Sequence, residues 1–192
     1  MLLIVFLLLY AMFYICITKK KTYCLAIVAF ITIIYISNEV FSVFNCLDYK
    51  QLNIFYWILF VILFGMIGWK LRKKRELEIS DLIQKCFYNL KENKLLILFL
   101  LFFMLNVGLA IYTVPYNWDS MTYHLSRIAQ WAQNKSVAHY AVGDVRQVTS
   151  PPLAEFINLQ VYIMSGKKDT WFNLLQYTSF VTNAGLIYFI TK

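Results

Sequence analysis

The sequence predicts an all-α polytopic membrane protein with about five transmembrane helices. Three observations predict this class: 60% of the 192 residues are hydrophobic, several apolar runs approach 20 residues, and basic residues cluster where those runs end. A soluble domain of this size cannot bury so large an apolar fraction, and a helix needs about 20 apolar residues to cross a bilayer. The net charge of +8 is therefore interpreted as a topology signal, and no nucleic-acid partner is expected.

Five apolar segments are predicted to be the spans. Three of them make up the N-terminal part, residues 1–70, and two flank the large loop; in chain order they are Leu2–Thr18, Thr22–Phe44, the short Ile54–Trp69, Leu95–Val114 and Trp171–Ile190. The first run has no basic residue before it and no small-residue cleavage site after it. It is therefore predicted to be a retained helix rather than a signal peptide.

The charges predict the orientation of the chain. If the five segments alternate across the membrane, one face receives 12 Lys/Arg and 4 Asp/Glu, and the other receives 6 of each. The positive-inside rule makes the first face cytoplasmic, with the greatest weight on the run KLRKKR at Lys70–Arg75. The N-terminus and the loop of residues 115–170 are then outside. Residues 71–94 form a cytoplasmic connector, either solvated or lying amphipathically along the inner surface.

Residues 115–170 form a polar loop that contains both histidines and all three prolines. Apolar residues recur in its first part at spacings of four, three and four: Met121, Leu125, Ile128 and Ala132. This pattern predicts an amphipathic helix over Asp119–Gln133 that lies in the membrane interface, with Trp118 and Trp131 as anchors at headgroup level. The charged residue Arg127 is expected to be solvated or to touch lipid phosphate.

Structural explanations also exist for the charged residues of the loop. Asp119 stands where a helix N-cap would, because Asp satisfies the free amides of a first turn. Arg146 and Glu155 flank the Pro151-Pro152 turn, so a structural ion pair would account for both. The two histidines are too far apart for a helical metal pair, and the four cysteines lack metal-like spacing.

The loop nevertheless resembles a known family over about Leu95–Asn183. The run NWDSMTYHL at Asn117–Leu125, then Arg146-Gln147 and SPPLAE at Ser150–Glu155, is similar to the first large loop of bacterial GT-C glycosyltransferases. The similarity is greatest to the group related to protein O-mannosyltransferases and lipid A aminoarabinose transferases. The resemblance implies a GT-C-like fold with more spans than five, so the 192 residues are expected to be the N-terminal part of a longer protein.

The resemblance also implies an activity and a site. A sugar would pass, with inversion, from a polyprenyl-phosphate donor to a lipid, glycan or protein acceptor at the outer face of the bacterial cytoplasmic membrane. Asp119 matches the family's loop carboxylate, which acts as catalytic base or helps to bind a divalent cation. The expected substrate contacts are Tyr123, His124, Arg146, Gln147 and Glu155. Arg146 would grip the departing phosphate bidentately, although Thr149-Ser150 replaces the charged pair that some relatives have before the two prolines.

Two other functions compete with this hypothesis. The chain could be a non-catalytic polytopic module that binds a lipid or a partner protein through its outer loop. Asp119 distinguishes this possibility from the enzyme, since a binding module has little need of a carboxylate at the membrane surface. A transporter is less favoured, because no predicted span carries a charged residue near its centre.

Overall fold

The computed structural model describes residues 1–16, 22–72 and 94–190, and within these ranges the protein is all-helical, without strands. The helices are α1 (Leu2–Cys16), α2 (Thr22–Val43), α3 (Tyr49–Leu71), α4 (Lys94–Tyr112), α5 (Leu125–Asn134), α6 (Arg146–Thr149), α7 (Leu153–Met164) and α8 (Phe172–Ile190), with a π-helical turn at Ser120–His124 before α5. The predicted helical class is confirmed for these residues. Most of the predicted cytoplasmic connector lies outside them.

Two helices of the described ranges, α2 and α3, are long and apolar enough to cross a membrane. The 22 residues of α2 extend about 33 Å, slightly more than a bilayer's hydrocarbon thickness. Only 22% of the apolar stretch of α2 and 17% of that of α3 is buried, whereas the core helix of a soluble protein is mostly buried. Large exposed apolar surfaces of this kind are typical of membrane contact.

Helix α3 begins at Tyr49, earlier than the segment Ile54–Trp69 predicted from its apolar run. The cause is Asp48, whose extended backbone and side chain cap the helix. Its Oδ1 accepts hydrogen bonds from the amides of Lys50 (3.0 Å) and Gln51 (3.2 Å). Partial burial acts to raise the pKa of Asp48, but these amides and the Lys135 ammonium lower it below its ordinary value. The first turn of α3 is polar, so the apolar run begins several residues after the helix does.

The chain forms two units. One comprises Met1–Lys73 with Pro115–Asp169, and the other comprises Lys74–Val114 with Thr170–Lys192. In the second unit α4 packs against α8, where the Asn173 amide donates to the carbonyl oxygen of Thr113 at 2.9 Å. In the first unit α1 packs against α2 and α3. The loop thus folds with the three N-terminal helices, although the sequence grouped it with the two segments that flank it.

Hydrogen bonds attach the loop to the turn between α2 and α3. The Leu47 amide donates to the carbonyl oxygen of Lys135 at 3.0 Å, and the Ser42 and Ser136 hydroxyls lie 2.8 Å apart. The Lys135 ammonium is 3.2 Å from Oδ2 of Asp48. The end of α5 is therefore fixed to the end of α2 and the start of α3.

Helix α7 packs against α2 and α3 through buried polar groups. The side-chain amide of Gln160 donates to the Ser37 hydroxyl (2.7 Å) and to Oδ1 of Asn38 (3.1 Å), and the Tyr56 hydroxyl donates to Gln160. Asn38 in turn donates to the carbonyl oxygen of Phe156 at 3.1 Å. Because each polar group finds a partner, their burial is tolerated and the position of α7 along α2 is specific.

Helix α5 is strongly amphipathic, but its apolar face contacts α7 rather than the bilayer interface. Ile128 is 1% exposed and Trp131 4% exposed, with the Trp131 ring 5.4 Å from that of Phe156. The prediction that Trp131 is a headgroup anchor is therefore wrong. Met121 is 58% exposed, because the π turn inserts an extra residue and takes it out of the predicted stripe. Trp118 is exposed, and its role as a headgroup anchor stays a prediction.

Candidate functional site

The candidate site is built on the π turn that precedes α5. The turn begins at Ser120, whose amide donates to Oδ1 of Asn117 at 2.7 Å. The Leu125 amide bonds to the carbonyl oxygen of Ser120, five residues earlier. A π turn is closed by a hydrogen bond between residues five apart in sequence, and such turns are frequent at functional sites. The turn contains the candidate residues Tyr123 and His124, and Asp119 directly precedes it.

A surface cluster forms around Arg146, and it consists of Asp119, Tyr123, Asp144 and Arg146. The guanidinium donates from Nε (3.1 Å) and Nη2 (2.8 Å) to Oδ1 and Oδ2 of Asp144. Its Nη1 lies 3.8 Å from Oδ1 of Asp119, and its carbon lies 4.8 Å from the centroid of the Tyr123 ring. Hydrogen bonding to Arg146 lowers the pKa of Asp144, and the same contact raises the pKa of Arg146. The cluster carries two carboxylates and one guanidinium, so its net charge is negative.

A buried cluster lies between α5 and α7, and it consists of His124, Arg127 and Glu155. Oε1 of Glu155 is 2.7 Å from Nδ1 of His124 and 3.4 Å from Nη1 of Arg127. The side chains of Arg127 and Glu155 are 3% and 2% exposed, whereas that of His124 is 38% exposed. Arg127 also donates to the carbonyl oxygen of Ser150 (2.9 Å) and lies 4.7 Å from the Trp131 ring centroid. The cluster combines a fixed, buried ion pair with a half-exposed imidazole.

Gln147 links α6 to the π turn. Its Oε1 accepts a hydrogen bond from the Tyr140 hydroxyl at 2.8 Å, and its Nε2 donates to the carbonyl oxygen of Thr122 at 3.4 Å. Burial raises the pKa of the Tyr140 hydroxyl, against a smaller opposing effect of the Arg127 charge. Gln147 therefore positions the segment that carries Arg146, and its predicted contact with a substrate stays a prediction.

The structure corrects three expectations about the charged residues of the loop. Asp119 makes no capping hydrogen bond, because Asn117 bonds to the first amide of the turn instead. Arg146 and Glu155 do not pair with each other: the first contacts Asp119 and Asp144, and the second contacts His124 and Arg127. The expectation of a solvated Arg127 is wrong, because Glu155 on the neighbouring helix offers it a buried counter-charge.

Apart from Gln147, the predicted site residues thus fall into two groups. Asp119, Tyr123 and Arg146 come together at the surface, and His124 and Glu155 come together beneath it. The predicted role of Glu155 as a substrate contact stays a prediction, and the geometry gives its carboxylate two partners within the protein. The sequence interpretation missed Asp144 and the role of Arg127. The spacing of Asp144 two residues before Arg146 was a usable signal, since Asp often bonds to the backbone two residues on, as its Oδ1 does here to the Arg146 amide at 3.0 Å.

No candidate metal centre is found in the described part of the chain, where no group of three or more His, Cys, Asp or Glu side chains could hold an ion. A divalent cation at Asp119 therefore stays a prediction from the resemblance.

The first unit also contains an open cavity of about 480 Å³ beside the start of α3. Its charged lining residues are three lysines and one aspartate: Lys50, Lys135, Lys167 and Asp48. None of the predicted site residues lines this cavity.

Comparison of the chain with protein-family models, with curated proteins and with solved structures gives no match.

Proposed function

We propose that this chain works as an inverting membrane glycosyltransferase that takes its sugar from a polyprenyl-phosphate donor at the outer face of the bacterial cytoplasmic membrane. The observation that carries the proposal is the placement of Asp119. Its carboxylate is 62% exposed, does not cap the turn that it precedes, and lies beside Arg146 and Tyr123 in a loop that folds on apolar helices. An exposed carboxylate that caps no helix, and that contacts Arg146 at 3.8 Å, is suited to chemistry at a membrane surface.

In the proposed arrangement α1, α2, α3, α4 and α8 are the five spans of a GT-C-like fold, with the N-terminus and the loop outside. The alternation requires the turn between α2 and α3 to lie on the same side as the loop. The hydrogen bond from Leu47 to Lys135 and the pairing of Ser42 with Ser136 support this requirement. The basic run after α3 then lies in the cytoplasm.

The proposed reaction is a substitution at the anomeric carbon of the sugar. The oxygen of an acceptor hydroxyl forms the new bond to that carbon, and Asp119 takes the hydroxyl proton. The bond between the anomeric carbon and the phosphate oxygen breaks, and its electron pair stays on the phosphate. Arg146, which is packed on Tyr123, keeps the Asp119 carboxylate in place.

The proposal is tested by the lipid that accumulates when transfer stops. In the native host, cells that carry Asp119→Asn are expected to accumulate the polyprenyl-phosphate-linked sugar, which mass spectrometry of total lipid extracts detects whatever the sugar is. Membranes from those cells are expected to transfer that sugar about 10²–10⁴-fold more slowly than wild-type membranes. Asp169→Asn is the matched control, because Asp169 lies at the end of the loop and outside both clusters. Unchanged donor levels in Asp119→Asn cells, at matched protein levels, would contradict the proposal.

One observation favours the alternative, a non-catalytic module that binds lipid or a partner protein. Arg146 is engaged by two carboxylates, so the surface cluster also satisfies the requirements of a structural brace between α6 and the π turn. The alternative predicts that Asp119→Asn loosens the loop without any change in the lipid-linked sugars of the cell. The same lipid analysis therefore separates the two functions.

A further inference from the structure

The buried cluster prepares His124 to bind an anion. Its Nδ1 is 2.7 Å from Oε1 of Glu155, so the carboxylate fixes the ring and leaves Nε2 for another partner. The side chain of His124 is 38% exposed, while that of Glu155 is 2% exposed. A ligand can therefore reach the imidazole but not the group that orients it.

The charges of the cluster leave a positive site once the imidazole is protonated. Arg127 and Glu155 neutralise each other, with 3.4 Å between Nη1 and Oε1. Protonated His124 then adds one positive charge and an Nε2–H donor at the exposed edge. Nε of Arg127 and Oε2 of Glu155 are buried without a hydrogen-bond partner in the described part of the protein. Such burial is costly, and a contact that only joined α5 to α7 would be cheaper to build from apolar residues.

Arg146, the residue expected to bind the donor phosphate, is already engaged. Its Nε and Nη2 form a fork on Asp144, at 3.1 and 2.8 Å, and its Nη1 faces Asp119. Bidentate binding of a phosphate uses the same fork of N–H groups. The surface cluster therefore supplies carboxylates but little free positive charge. His124 follows Tyr123 directly and their rings lie 4.1 Å apart, so the imidazole adjoins the surface cluster.

We infer that protonated His124, positioned by Glu155 and Arg127, binds the phosphate group of the lipid donor through its Nε2–H. The lipid identity rests on the proposed function, whereas the recognised chemistry is that of a phosphate anion. Glu155 and Arg127 act as positioning residues. The groups that face the imidazole are Glu155 from α7, Arg127 from α5 and the neighbouring Tyr123, and the two charged ones cancel.

The inference predicts phosphate binding that strengthens as the pH falls. The proposed hydrogen bond needs a protonated ring, and histidine is the type of side chain that changes its charge between about pH 5 and 8. Wild-type protein in nanodiscs is expected to bind polyprenyl phosphate more tightly than the His124→Gln variant, by on the order of ten- to a hundredfold at pH 6, which is the loss expected for one charged hydrogen bond. The two are expected to converge at pH 8. The phosphate also titrates near pH 6, but it does so equally in both proteins, so their ratio isolates His124.

The matched control is His139→Gln, which removes the other histidine of the chain and is expected to bind like wild type at both pH values. Selective ¹⁵N labelling of the two histidines provides a second measurement on the folded protein. Polyprenyl phosphate is expected to shift the ring signal of His124 and to leave that of His139 unchanged. Equal binding by wild type and His124→Gln at pH 6, or an unshifted His124 signal, would overturn the inference.

Further measurements distinguish a lipid phosphate from free phosphate. They also distinguish the phosphate-binding inference from the proposed transferase function. Polyprenol, which lacks the phosphate, is expected to show no dependence on His124, and inorganic phosphate is expected to compete only weakly if the lipid chain contributes to binding. Equal dependence for polyprenol would overturn the inference. Accumulated donor in Asp119→Asn cells combined with His124-independent binding would leave the proposed function standing alone. His124-dependent binding without any donor accumulation would leave the phosphate site standing without the transferase.

Discussion

Asn117 and Asp119 share the start of the π turn, and the structure gives them different tasks. Asn and Asp are both common helix N-caps. Asn117 accepts the hydrogen bond of the Ser120 amide at 2.7 Å, and Asp119 stays 62% exposed beside Arg146. The division leaves the carboxylate available for chemistry while the amide keeps the turn in shape.

We expect this division to appear in the free energy of unfolding. Asn117→Ala is expected to lower it by about 1 kcal/mol, the usual cost of a lost cap. Asp119→Asn is expected to change it by less than about half of that, because the side chain makes no capping bond. Chemical unfolding of the two variants in the same detergent measures both values. A loss for Asp119→Asn as large as that for Asn117→Ala would restore the cap interpretation.

The contact of Asp144 with Arg146 predicts a pH dependence at the acid end. The pKa of Asp144 is lower in the folded state than its ordinary value of about 3.9, because Arg146 donates hydrogen bonds to the carboxylate. The contact therefore contributes stability above about pH 3.9 and loses it as the pH falls through the lower folded pKa. In Arg146→Gln, the titration midpoint of the Asp144 carboxyl, followed by ¹³C NMR, is expected to rise towards the ordinary value. Asp48, which pairs with Lys135, is the internal control and is expected not to move.

At this scale the sequence indicated which residues lie in clusters better than it indicated which of them contact each other. Asp119, His124, Arg146 and Glu155 were all candidates, and all lie in one of the two clusters. Their partners depend on how the loop folds back, since Arg127 and Glu155 are 28 residues apart and come together only when α5 packs on α7. No local pattern encodes such a pairing.

The helices themselves follow the apolar runs closely where the runs are long. The predicted first, second, fourth and fifth segments overlap α1, α2, α4 and α8 with small differences at their ends. The departures have local causes: Asp48 starts α3 early, and α7 was absent from the prediction because its 12 residues follow two prolines in a polar loop. Such a short apolar run is recognisable as a helix only when its contacts with α2 are known.

The packing of α5 makes a prediction about two residues of the same predicted stripe. Ile128→Ala is expected to lower the free energy of unfolding by about 2–5 kcal/mol and to expose the loop to protease, because the side chain is 1% exposed between α5 and α7. Met121→Ala is expected to have little effect, since this side chain is 58% exposed. Limited proteolysis of the two variants measures the difference. Similar protease sensitivity of both would argue for a helix that lies in the membrane with Met121 in its apolar face.

For the whole molecule, the proposed topology predicts that only one end of α3 is accessible from outside the cell. Lys50 and Lys70 are both exposed and lie near opposite ends of this helix. In a cysteine-free background, a membrane-impermeant thiol reagent added to intact cells is expected to label Lys50→Cys and to spare Lys70→Cys. After the cells are opened, both are expected to react. Labelling of Lys70→Cys alone in intact cells would reverse the orientation and place the candidate site in the cytoplasm.

The polar contacts between α2, α3 and α7 have a consequence for how the protein is made. Asn38 and its partner Phe156 are separated by 118 positions, and Gln160 follows Tyr56 by 104. In the proposed arrangement α2 and α3 enter the bilayer before α7, so the Asn38 amide and the Tyr56 hydroxyl lack their α7 partners until α7 has been synthesised and translocated. A polar group in lipid is costly, so this interval is the point in biogenesis at which the chain most needs a chaperone or an insertase to shield it. The polar contacts of α2 and α3 are complete only after α7 has packed against them.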